Sequence, residues 1–203
     1  TIYIKDLLTG TILDETIPLT TGGSTWANDN STLFYTQKDE QTLRSNKIFR
    51  HRLGTSSLSD ELIFTEEDET FGTFVFKTKS KKFLVIGSYS TLTSEYRILN
   101  ADTPFEDFKI FQPRVRGLEY SISHYDDSFY VLTNMDGASN FKLMKTSDDT
   151  TLMDNWEEMI AHREDVLLED IDIFKDYYVI SERSNGLNRI KVVKWDGTDS
   201  YYL

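Results

Sequence analysis

The sequence predicts an all-β chain arranged as a partial β-propeller, with about four to five four-stranded antiparallel blades and an incomplete ring. Three observations lead there. Short runs rich in β-branched and aromatic residues recur along all 203 residues, parted by Gly, Asn, Asp, Ser and Thr clusters and by only three prolines; this is the punctuation of strands joined by tight turns. The runs fall in fours, opening at Ser24, Gly72, Leu118 and Val166, which are 48, 46 and 48 residues apart. A period in the forties with four strands per unit marks a propeller blade. In each unit the second run is the most apolar, as suits a strand covered on both faces.

Taken in order, the runs Tyr3 to Asp6 and Thr11 to Pro18 are expected to be the last two strands of a blade over 1–23. A blade over 24–71 follows, with strands at Thr25 to Asn28, Leu33 to Gln37, Lys47 to Leu53 and Glu61 to Thr65; its apolar second strand is Leu33-Phe34-Tyr35. The blade over 72–117 takes Thr73 to Thr78, Phe83 to Tyr89, Glu95 to Asn100 and Phe108 to Gln112, around Phe83-Leu84-Val85-Ile86. The blade over 118–165 takes Leu118 to Tyr125, Phe129 to Asn134, Phe141 to Lys145 and Trp156 to Ala161, around Phe129-Tyr130-Val131-Leu132. In that last run Trp156, Met159 and Ile160 also stand at helical spacing after Asp148-Asp149-Thr150-Thr151, so one helical turn is an alternative. A nearly complete blade over 166–203 closes the series with Val166 to Phe174, Tyr177 to Glu182, Ile190 to Lys194 and a strand from Tyr201, around Tyr177-Tyr178-Val179-Ile180. An immunoglobulin-like sandwich or several small β domains are the competing architectures, and the unbroken fourfold series without a linker disfavours both.

Composition narrows the function. With 34 acidic against 22 basic side chains the net charge is −12, the wrong sign for a phosphate-binding surface, so no nucleic acid is expected. The longest apolar runs span only a few residues, too short for a membrane-crossing helix. A 38% hydrophobic content supplies a core. No cysteine is present, which removes disulfides, thiolate zinc sites and a thiol nucleophile. Such a composition suits a reducing compartment, and a cytoplasmic location is expected, with the periplasm as the alternative. Thr1 opens inside a strand-like run without an initiator Met, so the chain reads as a fragment. Its four to five units fall short of the about seven blades that close most such rings, leaving strand edges open. Self-association through those edges is the alternative to a longer parent chain.

Several segments, in order, resemble one family. They are Trp26-Ala27-Asn28-Asp29-Asn30-Ser31-Thr32-Leu33-Phe34-Tyr35, Thr42-Leu43-Arg44, Phe49-Arg50-His51-Arg52-Leu53-Gly54-Thr55 and Ser90-Thr91-Leu92-Thr93-Ser94-Glu95-Tyr96-Arg97. Pro113-Arg114-Val115-Arg116-Gly117-Leu118-Glu119-Tyr120, Thr133-Asn134-Met135-Asp136-Gly137-Ala138-Ser139-Asn140-Phe141, His162-Arg163-Glu164-Asp165-Val166 and Glu182-Arg183-Ser184-Asn185-Gly186-Leu187 continue the likeness. Together they resemble the N-terminal propeller of the oligopeptidase B, or protease II, branch of the prolyl oligopeptidase family of serine peptidases. The resemblance implies a parent enzyme that cleaves short peptides after Arg or Lys. Its α/β-hydrolase domain would carry the Ser-Asp-His triad, and its propeller would gate the site and select substrates by size. That hydrolase domain is absent from these residues, so the chain itself is expected to be non-catalytic. A stand-alone propeller-like scaffold that binds a protein partner is the alternative.

The residues agree that no reaction centre is encoded here. A nucleophile elbow needs Gly-x-Ser-x-Gly; Gly22-Gly23-Ser24-Thr25-Trp26 and Gly87-Ser88-Tyr89-Ser90 both lack the second glycine. His51, His124 and His162 fall in different units, with nothing to pair them with a nucleophile. The acidic runs Glu66-Glu67-Asp68-Glu69 and Asn134-Met135-Asp136-Gly137 lack the alternating ligands of a calcium loop. With the ten glycines scattered, no phosphate cradle forms, and no cofactor or metal is expected.

Blade geometry offers these charges another use. In an up-and-down blade, connections alternate between two ends, so the loops leading into first strands share an end with those joining second to third strands. The inter-blade loops are expected at Thr20 to Ser24, Glu67 to Gly72, Pro113 to Gly117 and Arg163 to Asp165. By resemblance this end meets the hydrolase domain of the same parent protein and the basic oligopeptide substrates. The candidate gate residues are Glu67, Asp68, Glu69, Arg114, Arg116, Arg163, Glu164 and Asp165, with Arg44, Glu95, Asp136 and Arg183 farther out.

Overall fold

The computed structural model describes residues 1–203. Its strands are β1 (Ile2–Lys5), β2 (Ile12–Ile17), β3 (Thr20–Trp26), β4 (Thr32–Lys38), β5 (Ser45–Arg52), β6 (Glu61–Thr65), β7 (Gly72–Lys77), β8 (Phe83–Tyr89) and β9 (Ser94–Asn100). The series continues with β10 (Lys109–Gln112), β11 (Tyr120–Tyr125), β12 (Ser128–Thr133), β13 (Lys142–Ser147), β14 (Glu157–Ile160), β15 (Val166–Ile173), β16 (Tyr177–Ser184), β17 (Leu187–Lys194) and β18 (Ser200–Tyr202). Three short 3-10 turns are the helical content. β1 and β2 form a ribbon, and the rest pair in sequence order into four four-stranded sheets, β3–β6, β7–β10, β11–β14 and β15–β18. The β1–β2 ribbon, the β7–β8 pair and the β3–β6, β11–β14 and β15–β18 sheets are antiparallel throughout. The all-β partial propeller is therefore the fold.

Two expected elements differ in detail. Thr20 to Ser24, expected as a loop, is the first part of β3: Thr20 pairs with Gln37 and Ser24 with Tyr35, with a register shift between them. The Gly22-Gly23 pair absorbs that irregularity, and a Cβ on Gly23 would stand 3.0 Å from Thr36 Oγ1. The helical alternative at Trp156 resolves into a 3-10 turn at Met153–Asn155 followed by strand β14. Trp156 is buried there because its Nε1 donates to the Thr151 carbonyl at 2.8 Å and its ring meets Phe111 and Tyr120.

The chain forms two compact units, residues 1–91 with 95–110, and residues 92–94 with 111–203. In the first, Phe34, Ile48, Leu84 and Ile86 are fully buried with Ala27, Val75, Leu99 and Ala101. Each large side chain so buried contributes roughly 1.5–3 kcal/mol. Phe34 and Ile86 come from the apolar second runs of their blades, which is why those strands form. A second cluster, Ile17, Leu33 and Tyr35, seats the ribbon on the β3–β6 sheet. In the second unit the core is Tyr130, Leu132, Leu143, Leu168, Ile171, Ile173 and Ile180.

Aromatic rings rest on glycines in β7 and β8. A Cβ on Gly87 would stand 2.5 Å from Phe74 Cζ, and one on Gly72 would stand 3.3 Å from the Tyr89 ring. Neither glycine has a positive φ. Both are there for the space they leave.

Candidate functional site

The loops at one end of each blade are built by a recurring connection. In the first unit Arg44, just before β5, turns its guanidinium onto the loop leading into β7. Nη1 donates to the carbonyls of Phe71 at 2.7 Å, Asp68 at 3.0 Å and Glu66 at 3.2 Å, and Nη2 reaches Glu66 O at 3.2 Å. The Asp68 carboxylate closes the same loop by accepting from Thr70 N at 2.9 Å and Thr70 Oγ1 at 2.7 Å. In the second unit Asn140, before β13, donates to the carbonyls of Arg163 at 3.0 Å and Glu164 at 2.8 Å in the loop leading into β15. Thr93, before β9, accepts from Gly117 N at 3.0 Å in the loop leading into β11. In each case the connection between second and third strands holds the next inter-blade loop by its backbone, which satisfies polar groups that would otherwise lack partners.

This frame sorts the expected site residues. Glu67, Glu69, Arg116, Glu164 and Asp165 are exposed on the inter-blade loops, and Arg114 is half-buried. Arg44 and Asp68 are drawn together, but as parts of the loop's own framework. Arg163 lies 2.5 Å through Nη2 from Glu182 Oε2, and Tyr202 donates to Glu182 Oε1 at 2.6 Å. Burial would raise the Glu182 carboxyl, yet the Tyr202 hydroxyl, the Arg163 hydrogen bond and the Arg163 charge hold it below the usual range. Arg183 pairs with Glu169 at 2.5 Å and donates to Asn188 at 3.0 Å. Asp136 sits in a tight turn at φ 57° and takes Lys142 Nζ at 2.9 Å. Glu95 is buried in β9 beside Arg97, whose Nη1 stands 2.6 Å away.

No reactive pair emerges among the histidines. His51 is fully buried, with Nδ1 2.8 Å from Asp60 and Nε2 3.4 Å from Glu15, and Tyr35 donates to the other Asp60 oxygen at 3.0 Å. That chain ties the ribbon to the first blade. His124 is buried 3.4 Å from Asp148, with its ring edge-on to Phe129. No group of three or more His, Asp or Glu side chains is arranged to hold a metal ion.

The residues that sequence reasoning missed are the fasteners Thr93 and Asn140 and the large apolar residue beside each of the three fasteners. Leu43 and Leu92 are exposed, and Phe141 is half-buried. Their spacings, 49 residues each, repeat the blade period. A superposition of the repeats on one another, rather than a search for charges, would have found them.

Comparison with known proteins fits this architecture. Residues 1–201 match the family model described as prolyl oligopeptidase, N-terminal beta-propeller domain. The chain is 37% identical over 201 residues to dipeptidyl aminopeptidase BI of Pseudoxanthomonas mexicana, covering 99% of this chain and 28% of that protein. It is 37% identical over 196 residues to Protease 2 of Moraxella lacunata, with 95% and 28% covered. The structure of oligopeptidase B from Leishmania major superposes with a TM-score of 0.85 at 31% identity, over 96% of this chain and 27% of that one. The chain thus spans a little over a quarter of the length of these relatives. Repeated four-stranded sheets, fastened inter-blade loops and a match over nearly every residue place the chain in the prolyl oligopeptidase family, as part of its N-terminal β-propeller domain.

Proposed function

We propose that this chain is the gating and size-selecting part of an oligopeptidase B-like serine peptidase that cleaves short peptides after Arg or Lys, and that it performs no chemistry itself. The observation that carries this reading is the loop end of the blades. Backbone fastenings by Arg44, Thr93 and Asn140 fix the inter-blade loops, while Glu67, Glu69, Glu164 and Asp165 face solvent on them. Fixed loops that carry exposed carboxylates within each unit suit a gate for cationic peptides, which they attract over a Debye length. Opening between propeller and hydrolase domain admits the peptide, and closing excludes water around the reaction.

The test has two arms. The isolated chain is expected to leave an arginyl-amide substrate intact, whereas the full-length protein cleaves it and loses activity to a serine-directed inhibitor. In the full-length protein, Glu67→Gln, Glu69→Gln, Glu164→Gln and Asp165→Asn combined should flatten the salt dependence of kcat/KM for basic peptides. An unchanged salt dependence would remove the steering role, and hydrolysis by the isolated chain would overturn the non-catalytic assignment.

A further inference from the structure

The carboxylates account for attraction but not for attachment of the loop end to another domain. In the first unit a concavity of about 530 Å³ opens beside the loop into β7, lined in part by Leu43, Arg44, Glu69, Phe71, Gly72 and Tyr89. Leu43 is 63% exposed and Tyr89 52% exposed. Leu43 also holds φ 60°, a conformation that costs a leucine about 1 kcal/mol and that Gly or Asn adopts more readily. Strain and exposed apolar surface at one residue stabilise nothing within the chain. Tyr89 is fixed in place, since its ring covers the bare Cα of Gly72, its partner across β7–β8, and tilts against Phe74 at 5.6 Å. An exposed aromatic that is already ordered loses little entropy on docking, as interface anchors require.

We propose that the notch between Leu43 and Tyr89 docks an apolar side chain, flanked by Lys or Arg, from the hydrolase domain of the same polypeptide. The proposal rests on the reading of this loop end as the interdomain face. Two observations select the occupant. The chain spans 28% of its relatives' length, so most of the parent polypeptide lies outside it and, being tethered, meets the notch at high effective concentration. The rim carries one acid, Glu69, and Glu67 is exposed on the same loop, while Arg44 is turned inward onto backbone carbonyls. A basic flank complements that rim, and a single apolar anchor gives a contact weak enough to open repeatedly.

The experiment compares Leu43→Asp, Leu43→Asn and Tyr89→Ser in the full-length protein, with added protease nicking the interdomain linker as the measure of opening. Leu43→Asn keeps a residue that tolerates the left-handed backbone and removes only the apolar contact. Each variant should speed nicking about tenfold, the order set by losing one buried leucine-sized contact, while circular dichroism of the isolated chain stays unchanged. Unaltered nicking in all three variants overturns the proposal. If Glu67→Gln with Glu69→Gln speeds nicking while the notch variants do not, the notch is wrong and the interdomain reading stands. If neither set changes nicking, both fail.

Discussion

Arg44 Nη1 lies 2.7 Å from the carbonyl oxygen of Phe71, and the same guanidinium reaches the carbonyls of Glu66 and Asp68. One side chain from the connection before β5 thereby fixes the backbone of the loop that leads into the next blade. A planar guanidinium presents several donors at fixed angles, which the single ammonium of lysine does not. Arg44→Lys is expected to lower unfolding free energy by roughly 1 kcal/mol and Arg44→Leu by about 2 kcal/mol, since charge-assisted bonds are lost and carbonyls are left bare. Urea denaturation of the isolated chain measures both, and equal stability of Arg44→Leu and the parent chain would show that the loop holds itself.

Asn140 fills the corresponding position in the second unit with an amide, donating to the Arg163 and Glu164 carbonyls. Asn140→Asp keeps shape but exchanges the donor for an acceptor facing two carbonyl oxygens. It should be more destabilising than Asn140→Ala, by an extra ~1 kcal/mol, and hydrogen exchange at Glu164 to Val166 should rise in both. The order Ala worse than Asp would mean that packing, not donation, is what the residue supplies.

How legible this was in the sequence varied with the range of the cause. The fourfold grouping was readable because burial on both faces forces Leu33-Phe34-Tyr35, Leu84-Val85-Ile86 and Phe129-Tyr130-Val131-Leu132 to be apolar, a local requirement; in the last blade only Ile180 of the corresponding run is buried. The start of β3 was not readable, because Gly22-Gly23 looks like a turn until Gln37 and Tyr35 pair with its flanks. Charges were legible as exposed or paired only by type. Glu95 stands beside Arg97, two residues along its own strand and so on the same face, but Arg163 finds Glu182 across nineteen residues; tertiary placement decides the second pair and composition does not. The fasteners were hidden for the same reason, since Arg, Thr and Asn serve one purpose at equivalent positions and share no chemical signature.

Gly87 tests whether space, rather than backbone freedom, fixes a glycine. Its φ is not positive, and an added Cβ would meet Phe74 Cζ at 2.5 Å. Phe74 is hemmed in by Phe76 at 5.9 Å, Tyr89 at 5.6 Å and Tyr96 at 6.3 Å, so the ring has little room to yield. Gly87→Ala should cost roughly 1–3 kcal/mol, the range for overpacking. Adding Phe74→Leu should recover part of that loss, because the two changes share one contact and are not additive. A double-mutant cycle with no coupling would show that the glycine is kept for another reason.

Glu182 supplies a pH dependence whose direction follows from its surroundings. Burial opposes its charge, but Tyr202 and Arg163 both donate to it, and the folded carboxyl titrates below the ordinary 4.5. A carboxyl lowered by folding contributes stability that is complete above the unfolded value and is lost as pH falls through the folded one. Stability from this cluster should therefore be flat from neutral pH down to about 5 and decline in more acid solution. Glu182→Gln should reduce stability by about 1–2 kcal/mol at pH 7 and should differ less from the parent chain as the pH drops below 4.5. Tyr202→Phe removes one of the two donors, so the folded carboxyl is lowered less, and the acid-induced loss, which starts at the same unfolded value, should be smaller and complete at a higher pH than in the parent chain. Thermal unfolding of the three proteins between pH 3 and 7 decides the matter. A constant difference between Glu182→Gln and the parent across that range would mean that the residue acts through packing and not through its charge.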